Sequence, residues 1–249
     1  MSAQRCAASW ASTPRARTRW TAQVRVARIE AWLGPPGLTD ELGGERRSRL
    51  APLLPLLEQE PDAESAAIAL DPLLWLLGLC EEGAQLTQTN ALARSIVREG
   101  VERYPVWWHD EFLGLPQREM DVRPLEHLHD LALALKLVRR QRQALRLSRL
   151  GHELRAQPQA LLRLVAEEMA AAGGFGTDVS LALLLTETSR PADAVEAPVL
   201  IAMEVDSLLA PFAGLSGWIW RGASLTEGGR TLAVAILRAR ATGPRHAHF

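Results

Sequence analysis

From about residue 26 onward, apolar residues recur at helical spacing through most of the chain. "RVARIEAWLG" spaces Val26, Ile29 and Leu33 for one side of a helix before "GPPG" stops the run, and "SRLAPLLPLLEQE" carries on to Pro61. "DPLLWLLGLCEE" (71–82) opens with Asp71 as N-cap and Pro72 at the first helical position: a side-chain acceptor for a free N–H, then a preset φ. In "NALARSIVREGVERY" (90–104), Leu92, Ile96 and Val97 share a face, with Arg94 and Arg98 outside. "VRPLEHLHDLALALKLV" (122–138) starts at Pro124 and has Leu125, Leu128, Leu131, Ala132 and Leu135 as its buried stripe. The same pattern returns in "QALLRLVAEEMAA" (159–171), which "GGFG" ends, then in "DVSLALLLTETS" and "APVLIAMEVDSLLAPF".

Two stretches break the helical pattern. "LVRRQRQALRLS" (137–148) is two short runs about a polar turn, and "GWIWRGASLT" (217–226) is two short runs about "RG"; both predict β-hairpins. Each follows an apolar helix and leads through a hydroxyl residue into another, as "LSRLGHELR" and "LTEGGRTLA". A leucine–hydroxyl pair there marks a short strand whose last residue can cap the next helix by accepting from an unpaired N–H. The pair recurs at Leu86-Thr87, Leu147-Ser148 and Leu225-Thr226, with an echo at Leu38-Thr39, and it explains why "GAQLTQTNALARSIV" returns loosely as "GASLTEGGRTLAVAIL". The expected fold is mainly α. It has a tail at 1–25, a helical segment at 26–64, two helix–hairpin–helix units at 65–156 and 157–241, and a second tail at 242–249.

Composition narrows the chemistry. A hydrophobic content of 47% and a mean hydropathy of −0.04 are those of a globular chain able to bury a core, and a net charge of −1 leaves any basic surface local. Lys136 is the only lysine among 28 basic residues, an arginine bias of the kind a GC-rich genome produces. Cys6 and Cys80 are too few for a disulfide framework or a zinc site, and Cys80 reads as a small buried residue. No run approaches the roughly 18 apolar residues of a membrane span, so the expectation is a cytoplasmic protein that meets no membrane. The first 28 residues hold six arginines and no acid before Glu30, which reads as a disordered tail.

At "EHLHDLALALKLVRRQRQALRLSRLGHEL" the chain resembles the helix-plus-wing half of a winged helix-turn-helix domain of small bacterial repressors. His127-Leu128, Leu131, Leu137-Val138 and Leu147-Ser148-Gly151 carry the likeness, with one extra residue before the strand. It implies two winged-helix-like units, each a three-helix core with a small sheet whose third helix often enters the DNA major groove. A wider span of about 65–240 resembles helical proteins encoded near plasmid and transposon genes in actinobacteria, through "GAQLTQTNALA", "RPLEHLHDLALALKLV…LRLSRLGHELRAQP" and "GLSGWIWRGASLTEGG". That likeness brings no catalytic residues with it.

Weighed as a DNA reader, the third helix is poor: Glu126, His127, His129 and Asp130 occupy its exposed first half, with basic residues only at Arg123 and Lys136. The hairpin after it is better. Arg139, Arg140, Arg142, Arg146 and Arg149 fall close together, and a basic wing can contact phosphates or enter the minor groove of double-stranded DNA. The same cluster also fits a solvated hairpin in an arginine-biased chain. Between Arg190 and Arg221 there is no basic residue, whereas Asp193, Glu196, Glu204 and Asp206 are acidic, so the second unit suits self-association or a protein partner. Two functions follow: a non-catalytic DNA-associated protein, or a protein-interaction module without DNA binding. A positive face joining the wing to Arg94, Arg98 and Arg103 would favour the first; Glu126 and Asp130 turned outward would favour the second. No cofactor, metal or catalytic residue is expected. His109, Asp110 and Glu111 in "WWHDEF" and the histidines of "HLHD" are poorly spaced for a metal, because i and i+2 on a helix face different ways.

Overall fold

A computed structural model describes residues 53–108, 114–172, 199–216 and 224–242, with Leu181, Leu184 and Leu185. The expectations for both tails, the helix from residue 26, Leu38-Thr39, "GGFG", most of "DVSLALLLTETS", the 217–223 part of the second hairpin, Cys6 and the 109–111 cluster lie outside these residues. Nine helices are described: α1 (Leu53–Glu58), α2 (Ala63–Ala69), α3 (Asp71–Glu82), α4 (Arg94–Arg103), α5 (Arg123–Ala134), α6 (Arg149–Arg155), α7 (Pro158–Ala172), α8 (Val199–Leu209) and α9 (Glu227–Thr242). Five short strands accompany them: β1 (Ala84–Gln85), β2 (Val138–Gln141), β3 (Ala144–Leu147), β4 (Leu215–Ser216) and β5 (Ser224–Leu225). The protein is mainly α, with small antiparallel β elements.

In the first unit the chain runs α3–β1–α4–α5–β2–β3. Its strands form one sheet in the order β1-β3-β2, both pairs antiparallel. The core joins Leu73, Leu76, Leu77 and Cys80 of α3 to Val97 and Val101 of α4, Leu125, Leu128 and Ala132 of α5, and Val138, Leu145 and Leu147 of the hairpin. Alternation in β3 sets Leu145 and Leu147 inward and Arg146 outward. Trp75, Tyr104 and Trp107 meet edge-on or tilted beside α4, with ring centroids between 4.5 and 6.1 Å apart.

Beyond it, α2 packs on α7 and α9, and α1 on α9. Gln159 Nε2 donates to the Pro61 carbonyl at 2.9 Å and Arg238 reaches Glu60 at 2.9 Å, so the earliest described helices belong physically with the later half. The halves meet where α5 packs against the 3-10 turn Ala210–Phe212. There Trp107 Nε1 donates to the Ala210 carbonyl at 2.8 Å.

The repeated signal in the sequence corresponds to a repeated corner. After α5, Lys136 takes φ 57 and the Leu137 N–H returns to the Ala132 carbonyl at 2.9 Å; after α8, Ala213 takes φ 48 and the Gly214 N–H returns to Leu209 at 2.9 Å. This left-handed turn satisfies carbonyls that a helix end leaves open. Across each antiparallel pair, the hydroxyl residue closes the corner: Ser148 N–H donates to the Leu137 carbonyl (2.9 Å) and Thr226 N–H to Gly214 (3.0 Å). The same hydroxyls then cap α6 and α9, accepting from Gly151 N (2.9 Å) and Gly229 N (3.0 Å). Both glycines are required by close approach, since a Cβ at 151 would collide with the Leu137 carbonyl oxygen and one at 229 with that of Gly214.

Several expectations need correction. Thr87 caps no helix: its Oγ1 accepts from Ala91 N at 3.2 Å within a turn, and α4 begins only at Arg94. α5 ends at Ala134 because Lys136 reverses the chain, and Leu131 is half-buried rather than part of the core stripe. Leu70, not Asp71, holds the cap position of α3, and the Asp71 carboxylate accepts from the Tyr104 hydroxyl at 2.7 Å instead. α2 has no counterpart in the apolar pattern; Asp62 caps it, its carboxylate accepting from Ser65 N at 2.7 Å. His129 is not exposed but buried, and is described with the site below.

Candidate nucleic-acid interface

The hairpin β2–β3 reverses through Arg142 and Gln143. Two-residue reversals match strand twist when a loop residue has positive φ, and Arg142 takes φ 57 there, a conformation more often given to glycine or asparagine. Val138 pairs with Leu147 on the core side and Arg139 pairs with Arg146 on the outer side. Arg139, Arg140, Arg142, Arg146 and Arg149 are all exposed. The guanidinium of Arg146 lies against Gly83, just ahead of β1. Among the described residues Arg149 alone of the five forms an ion pair, with Glu153 at 3.0 Å. Like charges directly opposite on a sheet repel, so the Arg139–Arg146 register leaves a positive strip that an anion would relieve.

Other basic residues are less committed to this surface. Arg94 and Arg98 are exposed on α4, with Arg98 donating to Gln117 at 3.3 Å. Arg103 turns elsewhere, bonding the Tyr104 hydroxyl at 2.9 Å and Asp71 at 3.2 Å. Burial, then the Asp71 hydrogen bond, raises the Tyr104 hydroxyl above its ordinary range. This network edges an open groove of about 520 Å3 that also includes Ile68, Phe212, Thr226 and Gly228; its floor is apolar and its Asp71 and Tyr104 are already bonded to each other.

The third helix, α5, shows Arg123, His127, Asp130 and Ala134 to solvent, while Glu126 is half-buried and paired with Arg123 at 3.1 Å. Its flank is taken by the Ala210–Phe212 turn. Burial raises the Asp206 carboxyl of α8, and the charge of His127 opposes that rise, so these two lie within electrostatic reach. The exposed stripe is short and of mixed charge.

Inside the unit lies a pair that sequence reasoning missed. Glu119, on the 3-10 turn Glu119–Asp121, is 4% exposed and His129 is 3% exposed. Its Oε1 lies 2.7 Å from His129 Nδ1, and its Oε2 accepts from Leu92 N at 2.6 Å. One carboxylate thereby ties the strand-to-α4 turn, the 3-10 turn and α5 together. With Nδ1–H donating to the carboxylate, Nε2 is left buried without a partner among the described residues. Burial likewise pushes the Cys80 thiol up to about 12, so it is a packing residue rather than a nucleophile. Among the described residues, no group of three His, Cys, Asp or Glu side chains is placed to hold a metal. No single helix there is long and apolar enough to cross a membrane, and the apolar pair α2–α3 bends by 80°.

Residues 74–160 are similar to the family described as the Y4jL N-terminal domain, a stretch running from the first turn of α3 into the first turn of α7. No curated protein and no solved structure matches the chain.

Proposed function

We propose that this chain is a non-catalytic, DNA-associated protein on a winged-helix-like scaffold, with the β2–β3 hairpin as its basic wing. The reading is carried by four exposed arginines, 139, 140, 142 and 146, that form no ion pair among the described residues and include a like-charged cross-strand pair. The order helix–strand–helix–helix–strand–strand, with β3 between β1 and β2, supports the scaffold assignment. Phosphate contact by such a wing fixes position without reading bases, and α5 adds no basic stripe for major-groove readout.

Fluorescence anisotropy with a labelled duplex at several salt concentrations tests this. Wild type should lose affinity steeply with salt. Arg139→Ala/Arg140→Ala/Arg142→Ala should bind more weakly, its log–log slope shallower by about 0.9 for each phosphate that the variant leaves unneutralised. Absence of binding by wild type at low salt would overturn the proposal. A second reading, a protein-interaction module without DNA binding, draws on Asp130, which is exposed on α5 as a reader's helix would not favour. Self-association or capture of a protein partner through the second half, with no duplex binding, would be its signature.

A further inference from the structure

The wing does not stand alone. β1 joins the sheet on the far side of β3, and the Leu86 N–H donates to the carbonyl of Gln143 in the wing's own loop at 2.9 Å. The chain then turns through Thr87, Gln88, Thr89 and Asn90, all exposed, and returns to β1 by a Leu86–Leu92 bridge and an Ala93 N–H to Gln85 carbonyl bond of 2.9 Å. This turn is internally fastened: Thr87 N donates to the Ala91 carbonyl at 2.8 Å, Asn90 N to the Thr87 carbonyl at 3.0 Å, and the Thr87 and Thr89 hydroxyls are 3.0 Å apart. Asn90 takes φ 63, which asparagine tolerates better than most residues. The hydrogen bonds thus seat a preformed polar turn next to the tip of the basic hairpin.

Charge and side-chain type agree with that placement. No acid occurs between Glu82 and Glu99, nor between Asp130 and Glu153, the two segments that this sheet joins. Exposed amides lie on both segments: Gln85, Gln88 and Asn90 on one, and Gln141 and Gln143, interleaved with arginines, on the other. Among the described residues none of these five side-chain amides has a hydrogen-bond partner. Uncharged amides and hydroxyls donate to phosphate oxygens as arginines do, but neutralise nothing.

We propose that the Thr87–Asn90 turn is a second contact element for the same DNA duplex, its Gln88 and Asn90 amides donating beside the phosphates that the wing arginines neutralise. This rests on the wing reading above, and the two can be separated by salt dependence. Counterion release counts charges, so a neutral contact contributes affinity without contributing slope.

The test is anisotropy with the same labelled duplex on the full chain. The variant Gln88→Ala/Asn90→Gly, with glycine chosen to keep the positive φ, should bind about tenfold more weakly with the wild-type salt slope. Gln88→Arg should bind more tightly and steepen the slope by about 0.9. Thermal melting of each variant guards against a folding defect, and both should melt as wild type does. Unchanged affinity in both variants would overturn the proposal, while weakening confined to the wing arginine variant would leave the wing reading standing. No binding by wild type would overturn both.

Discussion

Lys136 and Ala213 turn the chain at φ 57 and φ 48, and Ser148 and Thr226 close the corners that follow, each bonding a glycine three residues on. Outward, the described side chains of the two places differ. The first hairpin sets Arg139 opposite Arg146; across the second, Ser216 faces Ser224 with their hydroxyl oxygens 2.6 Å apart. What the two have in common is what the main chain must satisfy: helix-end carbonyls, helix-start N–H groups and a carbonyl pressed against the next helix. Wherever none of those demands reaches, the side chains are free to differ. The repeat is therefore a matter of main-chain closure, and among the described residues the outer arginines distinguish the first corner.

The shared plan is most severely tested where the two backbones come closest. Gly229→Ala and Gly151→Ala should each destabilise the fold by on the order of 3 kcal/mol, because the added methyl meets a carbonyl that is itself bonded to the capping residue. Urea denaturation measures both; a corner that tolerated alanine would not share the plan. Next come the caps. Ser148→Ala and Thr226→Ala should cost about 1 kcal/mol each. The second should cost more, since Thr226 Oγ1 also donates to the Ala213 carbonyl at 3.1 Å. Equal costs would mean that this extra bond contributes nothing. The smallest effect is a gain: Lys136→Gly and Ala213→Gly remove a left-handed side chain and should stabilise by about 0.5 kcal/mol each, the relief exceeding glycine's entropy cost. Melting temperatures that fall instead would show the left-handed turn to be unstrained.

The first hairpin is legible in the sequence because leucine and arginine alternate through Leu145, Arg146 and Leu147 about a polar turn, and Ser148 ends it where a cap is needed. A short strand ending at Leu86-Thr87 is legible from the leucine–hydroxyl signal, but its place as the sheet's third strand is not: only pairing with Ala144 and Leu145 gives β1 that position. Thr87 misleads for a related reason. A leucine–threonine pair signals a cap only if a helix starts at once, and here Asn90 turns the chain back first. The polar look of "HLHD" suggests exposure for His129, yet it lies four residues after Leu125 and three before Ala132, on the buried face. Its partner Glu119 leaves no local sign at all, since ten residues and a 3-10 turn separate them. The arginines of the β2–β3 hairpin stand out in composition alone. That Arg139 and Arg146 are register partners, and that the 87–90 turn is seated beside Arg142 and Gln143, follows only from the strand pairing.

The indole of Trp107 has a consequence for modularity. Its N–H is satisfied by a carbonyl 103 residues further on, at Ala210, and α5 rests on that same turn. A polypeptide trimmed at residue 160, where the matched domain stops, would carry a nearly buried donor with its acceptor gone and a helix flank stripped of cover. The first half of this chain is thus no interchangeable cassette: its fold leans on its neighbour.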